Sequence, residues 1–222
     1  MEHLVYILLI LAIPLVAQIF VTSSYKRYHD IENGKNITGY DVARKILDDN
    51  DLKQMYIVST NGTMSDHYDS ARKTVRLSKD VYNGTSIASL AIAAHECGHA
   101  IQDKEGYFFM RMRSFIFPFI NLGTKLAYGI LILSILFQLA DLLWVSIVLV
   151  ALGLIFQLVT LPVEFNASTR AKAEIEKLKL ANTTELTGVD KMLKAAAYTY
   201  VAGVLASALE LVRLLAILND RN

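Results

Sequence analysis

The apolar positions of this chain fall in long blocks rather than in alternation. Leu4 to Val21 is apolar apart from Pro14 and Gln18. Phe115 to Gly123 leads past Lys125 into Leu126 to Ala140, where Tyr128, Ser134 and Gln138 are the polar positions. Leu142 to Val163 carries only Ser146, Gln157 and Thr160 as polar interruptions. A fourth run of smaller residues, Ala195 to Leu209, continues to Leu218 across Glu210 and Arg213. A helix needs about 20 largely apolar residues to cross the hydrocarbon core of a bilayer. The first three blocks meet that length. The fourth either spans or packs on or in the bundle. Its Glu210 and Arg213, three residues apart, must neutralise each other, line a cavity or reach the interface.

The polar stretches between the blocks carry their own periodicities. Thr38 with Asp41 three residues on approaches a capping box, and Val42, Ile46 and Leu47 follow at helical spacing. Met55 to Thr60 is rich in β-formers and runs into Asn61-Gly62, a strong turn signal. Lys73 to Leu77 alternates like a second strand. Ser86 opens a helix that runs through Ile87, Leu90, Ile92 and Ala93 to about Lys104, and Glu164 to Leu180 is helical again. The expected organisation is an N-terminal transmembrane anchor (1–22), an α+β segment (23–113), a transmembrane hairpin (114–163), a polar helix (164–194) and a transmembrane or membrane-packed helix (195–222).

Composition agrees with a membrane protein. Of 222 residues, 54% are hydrophobic and 19% charged. Lysine plus arginine is 22 and aspartate plus glutamate 21, giving a net charge of +1. That balance excludes a nucleic-acid binder held by bulk charge and a disordered chain. The single cysteine, Cys97, excludes an intramolecular disulfide. Glu2 and His3 stand where a cleavable signal carries basic residues, and no small-residue cleavage site follows, so the first block is expected to stay as an anchor.

The charges, though balanced, are sorted. Lys26 and Arg27 follow the first block, and Lys104, Arg111 and Arg113 precede the second. Arg170, Lys172, Lys177 and Lys179 follow the third, and Lys191 and Lys194 precede the fourth. The connection between the second and third blocks has Asp141 and no basic residue. The positive-inside rule then gives a multi-pass protein of the cell membrane with its N-terminus outside and both polar stretches in the cytoplasm. Gly203 with Ser207, and Ala202 with Ala206, offer small-residue faces for helix packing, within the chain or between copies in a homo-oligomer.

One motif carries chemistry. His95-Glu96-Cys97-Gly98-His99 places two histidines four apart on one helix face, where both imidazoles can converge on a single ion. Glu96 lies about 100° round the helix from His95, positioned to take a proton from an attacking water. Chance gives this pattern in roughly one such composition in two hundred. As core residues without a partner, the three polar groups would cost several kcal/mol to bury. One zinc ion resolves that cost. No third histidine follows at metzincin spacing, so the third ligand is a carboxylate from a later helix. Glu164, where the third block emerges on the side assigned to His95 and His99, is the best candidate, with Glu174 and Glu176 behind it. Cys97 points off the ligand face and reads as a small packing residue, and Gly98 permits another element to come close. His67, Arg170, Tyr198 and Tyr200 are candidates for stabilising an oxyanion, and spacing does not choose among them. Glu96-Cys97-Gly98-His99 also fits the Glu-x-x-His of di-metal carboxylate bundles, but the chain has no second copy.

The run Ala94-His95-Glu96-Cys97-Gly98-His99-Ala100-Ile101-Gln102, with Leu161-Pro162-Val163-Glu164-Phe165-Asn166-Ala167-Ser168 and Arg170-Ala171, resembles the bacterial membrane neutral zinc metallopeptidases of the YugP type. His67-Tyr68-Asp69 through Lys73-Thr74-Val75-Arg76-Leu77-Ser78 resembles them too. The chain is more distantly similar to gluzincin membrane proteases such as the heat-shock membrane protease and the CAAX prenyl protease. The resemblance implies zinc held by His95, His99 and Glu164, with Glu96 as catalytic base. In those relatives a Glu-x-x-x-Asp motif supplies the third ligand and a carboxylate behind a zinc histidine. Here Ser168 stands at the aspartate position, so Asn166, another carboxylate or a backbone carbonyl takes that role.

These readings together predict a mainly α integral membrane protein with three to four transmembrane helices. A small zincin-like α+β cytoplasmic domain with a short β-sheet accompanies them. The expected activity is zinc-dependent hydrolysis of peptide or membrane-protein substrates at the cytoplasmic face of the lipid bilayer. The alternative is a zinc-containing membrane scaffold or chaperone without hydrolysis. The strand at Lys73 to Leu77 is expected to pair with extended substrate backbone.

Overall fold

Long apolar blocks must be helices in lipid, where each backbone N–H and C=O needs an internal partner. A computed structural model of the chain describes residues 2–137 and 140–220. In chain order its elements are α1 (Glu2–His29), α2 (Gly39–Asp49), β1 (Tyr56–Thr60), β2 (His67–Asp69), β3 (Thr74–Ser78), α3 (Lys79–Asn83), α4 (Ile87–Lys104), α5 (Phe108–Leu136), α6 (Ala140–Lys177) and α7 (Thr183–Asn219). Among the described residues three helical stretches, Leu4–His29, Leu142–Lys177 and Thr183–Asn219, are long and apolar enough to cross a membrane. The expected block Leu126 to Ala140 reaches residues 138 and 139, which lie outside the described residues. The protein is a mainly α membrane protein with a small α+β part.

The chain groups into two compact units. One comprises Met1–Gln18, Arg111–Pro162 and Tyr198–Asn222. Within it Leu143 and Ile147 of α6 pack with Leu214 and Leu218 of α7. Glu210 and Arg213 neutralise each other: the guanidinium donates to both carboxylate oxygens at 2.6 and 2.8 Å, and both side chains are largely buried. Removing either charge there would break a largely buried ion pair, a change that is usually destabilising. Gly203 faces Gln157 of α6, so this small residue serves packing inside the chain.

The second unit comprises Ile19–Met110 and Val163–Ala197. Its core is built round α4, which is buried over most of its length and rich in small residues. Ala88, Ala91, Ala93, Ala94, Cys97 and Ala100 are all fully buried. A helix of that kind sits at the centre of a core rather than on its surface. Helix α2 packs on it through Val42, Ala43, Ile46 and Leu47 and begins with a complete capping box between Thr38 and Asp41. Ser86 caps α4, accepting from the Ser89 N–H.

The sheet has the order β1-β3-β2. β1 pairs parallel with β3, and β2 pairs antiparallel with it in the register His67↔Arg76. Gly62, at φ +103°, makes the turn out of β1, a conformation that favours glycine. The alternation of residues 73–77 does mark a strand, but that strand is the central one, with Val75 and Leu77 in the core. Both of its edges are taken, and beyond the end of β2 the Ser78 N–H donates to the Asp66 carboxylate. It therefore has no free edge for a substrate, and the expectation that it pairs with one is corrected. β2, whose pattern is too short to register in the sequence, is an edge strand. The Tyr68 hydroxyl donates to Asp103 of α4 at 2.6 Å, and Lys73 pairs with the same carboxylate, which ties this edge to the histidine helix.

Candidate metal centre

His95 and His99, one turn apart on α4, stand edge to face with ring centroids 4.8 Å apart. Both direct Nε2 at one oxygen of Glu164 on α6, His95 at 3.3 Å and His99 at 3.5 Å. Ligand atoms of the three residues lie within 4.8 Å of one another. Two imidazole nitrogens and one carboxylate oxygen are a His₂Glu donor set, the set that leaves a tetrahedral ion one open position.

Close helix packing makes the convergence possible. Val163, Ala167, Ala171 and Ile175 form the buried stripe of α6. A Cβ placed on Gly98 would stand 2.5 Å from the Ala167 carbonyl oxygen, so only glycine lets the two backbones meet here. Glu164 is one turn from that crossing, which brings its carboxylate, 2% exposed, against the histidines.

Glu96 is on the adjacent face of α4 and 7% exposed. Burial pushes its carboxyl above the usual carboxylate range, although His95 and His99 pull the other way. Burial disfavours charge on His99 too, yet the Glu164 hydrogen bond and the Glu164 and Glu96 carboxylates outweigh it and raise the ring's pKa. Two buried carboxylates therefore set a field that favours positive charge between the histidines. The residues present fit a divalent cation.

The remaining ring nitrogens are engaged. His95 Nδ1 is 3.2 Å from Ser168 Oγ, and His99 Nδ1 is 3.0 Å from Gln102 Oε1. Ser168, named from the sequence as a residue that could stand behind a histidine of the site, thus meets His95 through its hydroxyl. Gln102 carries no signal by residue type, but its i+3 spacing from His99 on a buried helix could have marked it. Asn166 accepts from Gln102 and from Arg170.

The other sequence candidates are placed as follows by their own surroundings. His67 is exposed on β2, with its Nδ1 at the Ser65 carbonyl. Tyr198 and Tyr200 fall in the other compact unit. Glu174 accepts from Asn50 and pairs with Lys177, and Glu176 is exposed. Cys97 turns its sulfur to the Ala43 carbonyl at 3.6 Å, and burial pushes its thiol pKa up.

A histidine pair and a glutamate grouped this way form a possible metal site in a helical membrane protein. Residues 3–219 match the model of the family described as "Putative neutral zinc metallopeptidase", and the chain belongs to that family. It is 42% identical over 207 residues to "Putative membrane protease YugP" of Bacillus subtilis (strain 168), covering 93% of this chain and 92% of that protein. No solved structure matches the chain.

Proposed function

We propose that the protein is a zinc-dependent metallopeptidase of the gluzincin type. It hydrolyses peptide bonds at the cytoplasmic face of the cell membrane. The observation that carries this reading is the convergence of His95, His99 and Glu164 within 4.8 Å, with Glu96 buried beside them. His95, His99 and Glu164 would hold one zinc ion. When bound, the ion supplies Lewis-acid polarisation of the scissile carbonyl and lowers the pKa of water. Glu96 accepts a proton from the attacking water and delivers it to the leaving amine, for which its raised affinity for a proton suits it. The buried setting around these residues keeps out bulk water and strengthens each electrostatic contact.

The sorted basic residues support an N-terminus outside, segments 1–22, 114–163 and 195–222 at the bilayer, and segments 23–113 and 164–194 in the cytoplasm. One experiment tests activity and side together. Inside-out membrane vesicles should cleave an added peptide library, and sealed right-side-out vesicles should not. A zinc chelator should abolish the cleavage and added zinc restore it. Cleavage by right-side-out vesicles would overturn the orientation, and cleavage indifferent to chelation would overturn the metal role.

Substrate backbone is proposed to pair along the free edge of β2, the strand tied to α4 through Tyr68 and Asp103. Proline scanned through His67–Asp69 should raise KM by about tenfold, the loss of one or two main-chain hydrogen bonds, with zinc content intact. The same scan in β1 should not. Equal effects in both strands would rule the edge out.

A further inference from the structure

The hydrogen bonds behind His99 fix which of its nitrogens carries the proton, and they do so from a starting point that allows one answer. A guanidinium only donates. Arg170 Nε is 2.7 Å from the Asn166 side chain, so the atom it meets is the oxygen Oδ1. That oxygen lies 2.9 Å from Gln102, so the Gln102 atom facing it is the amide nitrogen. The Val163 carbonyl, 2.8 Å from the same nitrogen, requires a donor there as well. Gln102 therefore presents its oxygen to His99 Nδ1 at 3.0 Å, and an oxygen acceptor obliges Nδ1 to carry hydrogen. In the neutral ring the lone pair is then on Nε2, the nitrogen directed at Glu164. The far end of the chain is anchored too, since Arg170 Nη2 pairs with Glu105 at 2.7 Å. Gln102 has no exposed surface, so water does not compete for its amide.

We propose that Arg170, Asn166 and Gln102 form a hydrogen-bonded relay that locks His99 in the Nδ1–H tautomer and so presents Nε2 to the metal. The proposal rests on the zinc reading above. It makes Gln102 and Asn166 positioning residues: they touch neither metal nor substrate and act through the ring of His99. The relay begins at the surface, with the Glu105–Arg170 pair, and ends at a buried ligand. It does for His99 what a carboxylate commonly does behind a metal-bound histidine.

Zinc affinity of the full-length protein in nanodiscs, measured by chelator competition, tests this directly. Gln102→Leu should raise the zinc dissociation constant by about 10–100-fold, the usual effect of removing such a partner. Asn166→Leu should weaken binding in the same direction. Asn166→Asp keeps an oxygen for both Arg170 and Gln102 and should bind zinc within about twofold of wild type, because both donors still meet an acceptor and the bond from Arg170 stays charge-assisted. Unchanged affinity in Gln102→Leu would overturn the relay, as would equal weakening in Asn166→Asp and Asn166→Leu. If Gln102→Leu does not fold, the two Asn166 variants decide. A wild type that binds no zinc would overturn the zinc reading, and the relay with it. A wild type that binds zinc while its variants are unaffected would overturn the relay alone.

Discussion

Glu96→Gln is expected to lower kcat/KM for peptide hydrolysis by about 10²–10⁴-fold while leaving bound zinc at the wild-type level. Glutamine keeps the size and shape of the side chain but cannot take a proton from water. The loss corresponds to roughly 3–5 kcal/mol of transition-state stabilisation. The residues proposed to hold zinc are untouched, because Glu96 lies on the neighbouring face of α4 and does not belong to the converging group. Stability should move the other way. Burial already disfavours the ionised carboxyl of Glu96, and a neutral amide avoids that cost, so the variant should melt at or above the wild-type temperature. Parallel measurement of zinc content, melting and hydrolysis separates the readings. Retained hydrolysis would remove Glu96 from the base role. Zinc without hydrolysis in the wild type itself would favour a metal-dependent scaffold.

Gly98→Ala is expected to weaken zinc binding by at least about tenfold and to cost roughly 1–3 kcal/mol of stability, as overpacking does in tight cores. The methyl group would meet backbone atoms of Ala167, with the carbonyl oxygen at 2.5 Å and the carbonyl carbon at 3.1 Å. Backbone cannot swing aside like the end of a long side chain. The two helices must separate, and the separation falls one turn from Glu164. A ligand displaced by about 1 Å is enough to impair a metal or catalytic geometry severely. Gly153→Ala is the control: nothing lies within 4 Å of its added carbon, and alanine is the better helix former. Chelator competition and thermal melting on both variants check the prediction. Equal behaviour of the two would show that the Gly98 crossing does not set the site.

Parts of this architecture are legible in the sequence because they are local. Helical spacing puts His95 and His99 on one face, and Ser86 with its following apolar residues marks the helix that carries them. Thr38 and Asp41 mark the start of α2 by the chemistry of the cap alone. Other parts are not legible. β2 has only three residues, too few for a periodic signal, and it exists by pairing with β3. The alternation at 73–77 identifies a strand without saying whether it is central or at an edge. Sheet order decides that, and it takes the central strand β3 out of consideration as a substrate edge. The three fates open to Glu210 and Arg213 reduce to mutual neutralisation only once the rotamers on α7 are seen.

The sequence by itself determined the long helices, the small α+β part and the pair of histidines, since each follows from composition or from the period of one element. The sequence put Glu164 ahead of Glu174 and Glu176, and the tertiary structure decides which of them the histidines face. Glu164 reaches them because Gly98 and Ala167 let α4 and α6 approach to backbone contact. His99 is oriented because Gln102 meets Val163 and Asn166 on the other helix. Both depend on the packing of two helices, and helix packing is fixed by side-chain volumes distant in the chain, which no local pattern encodes.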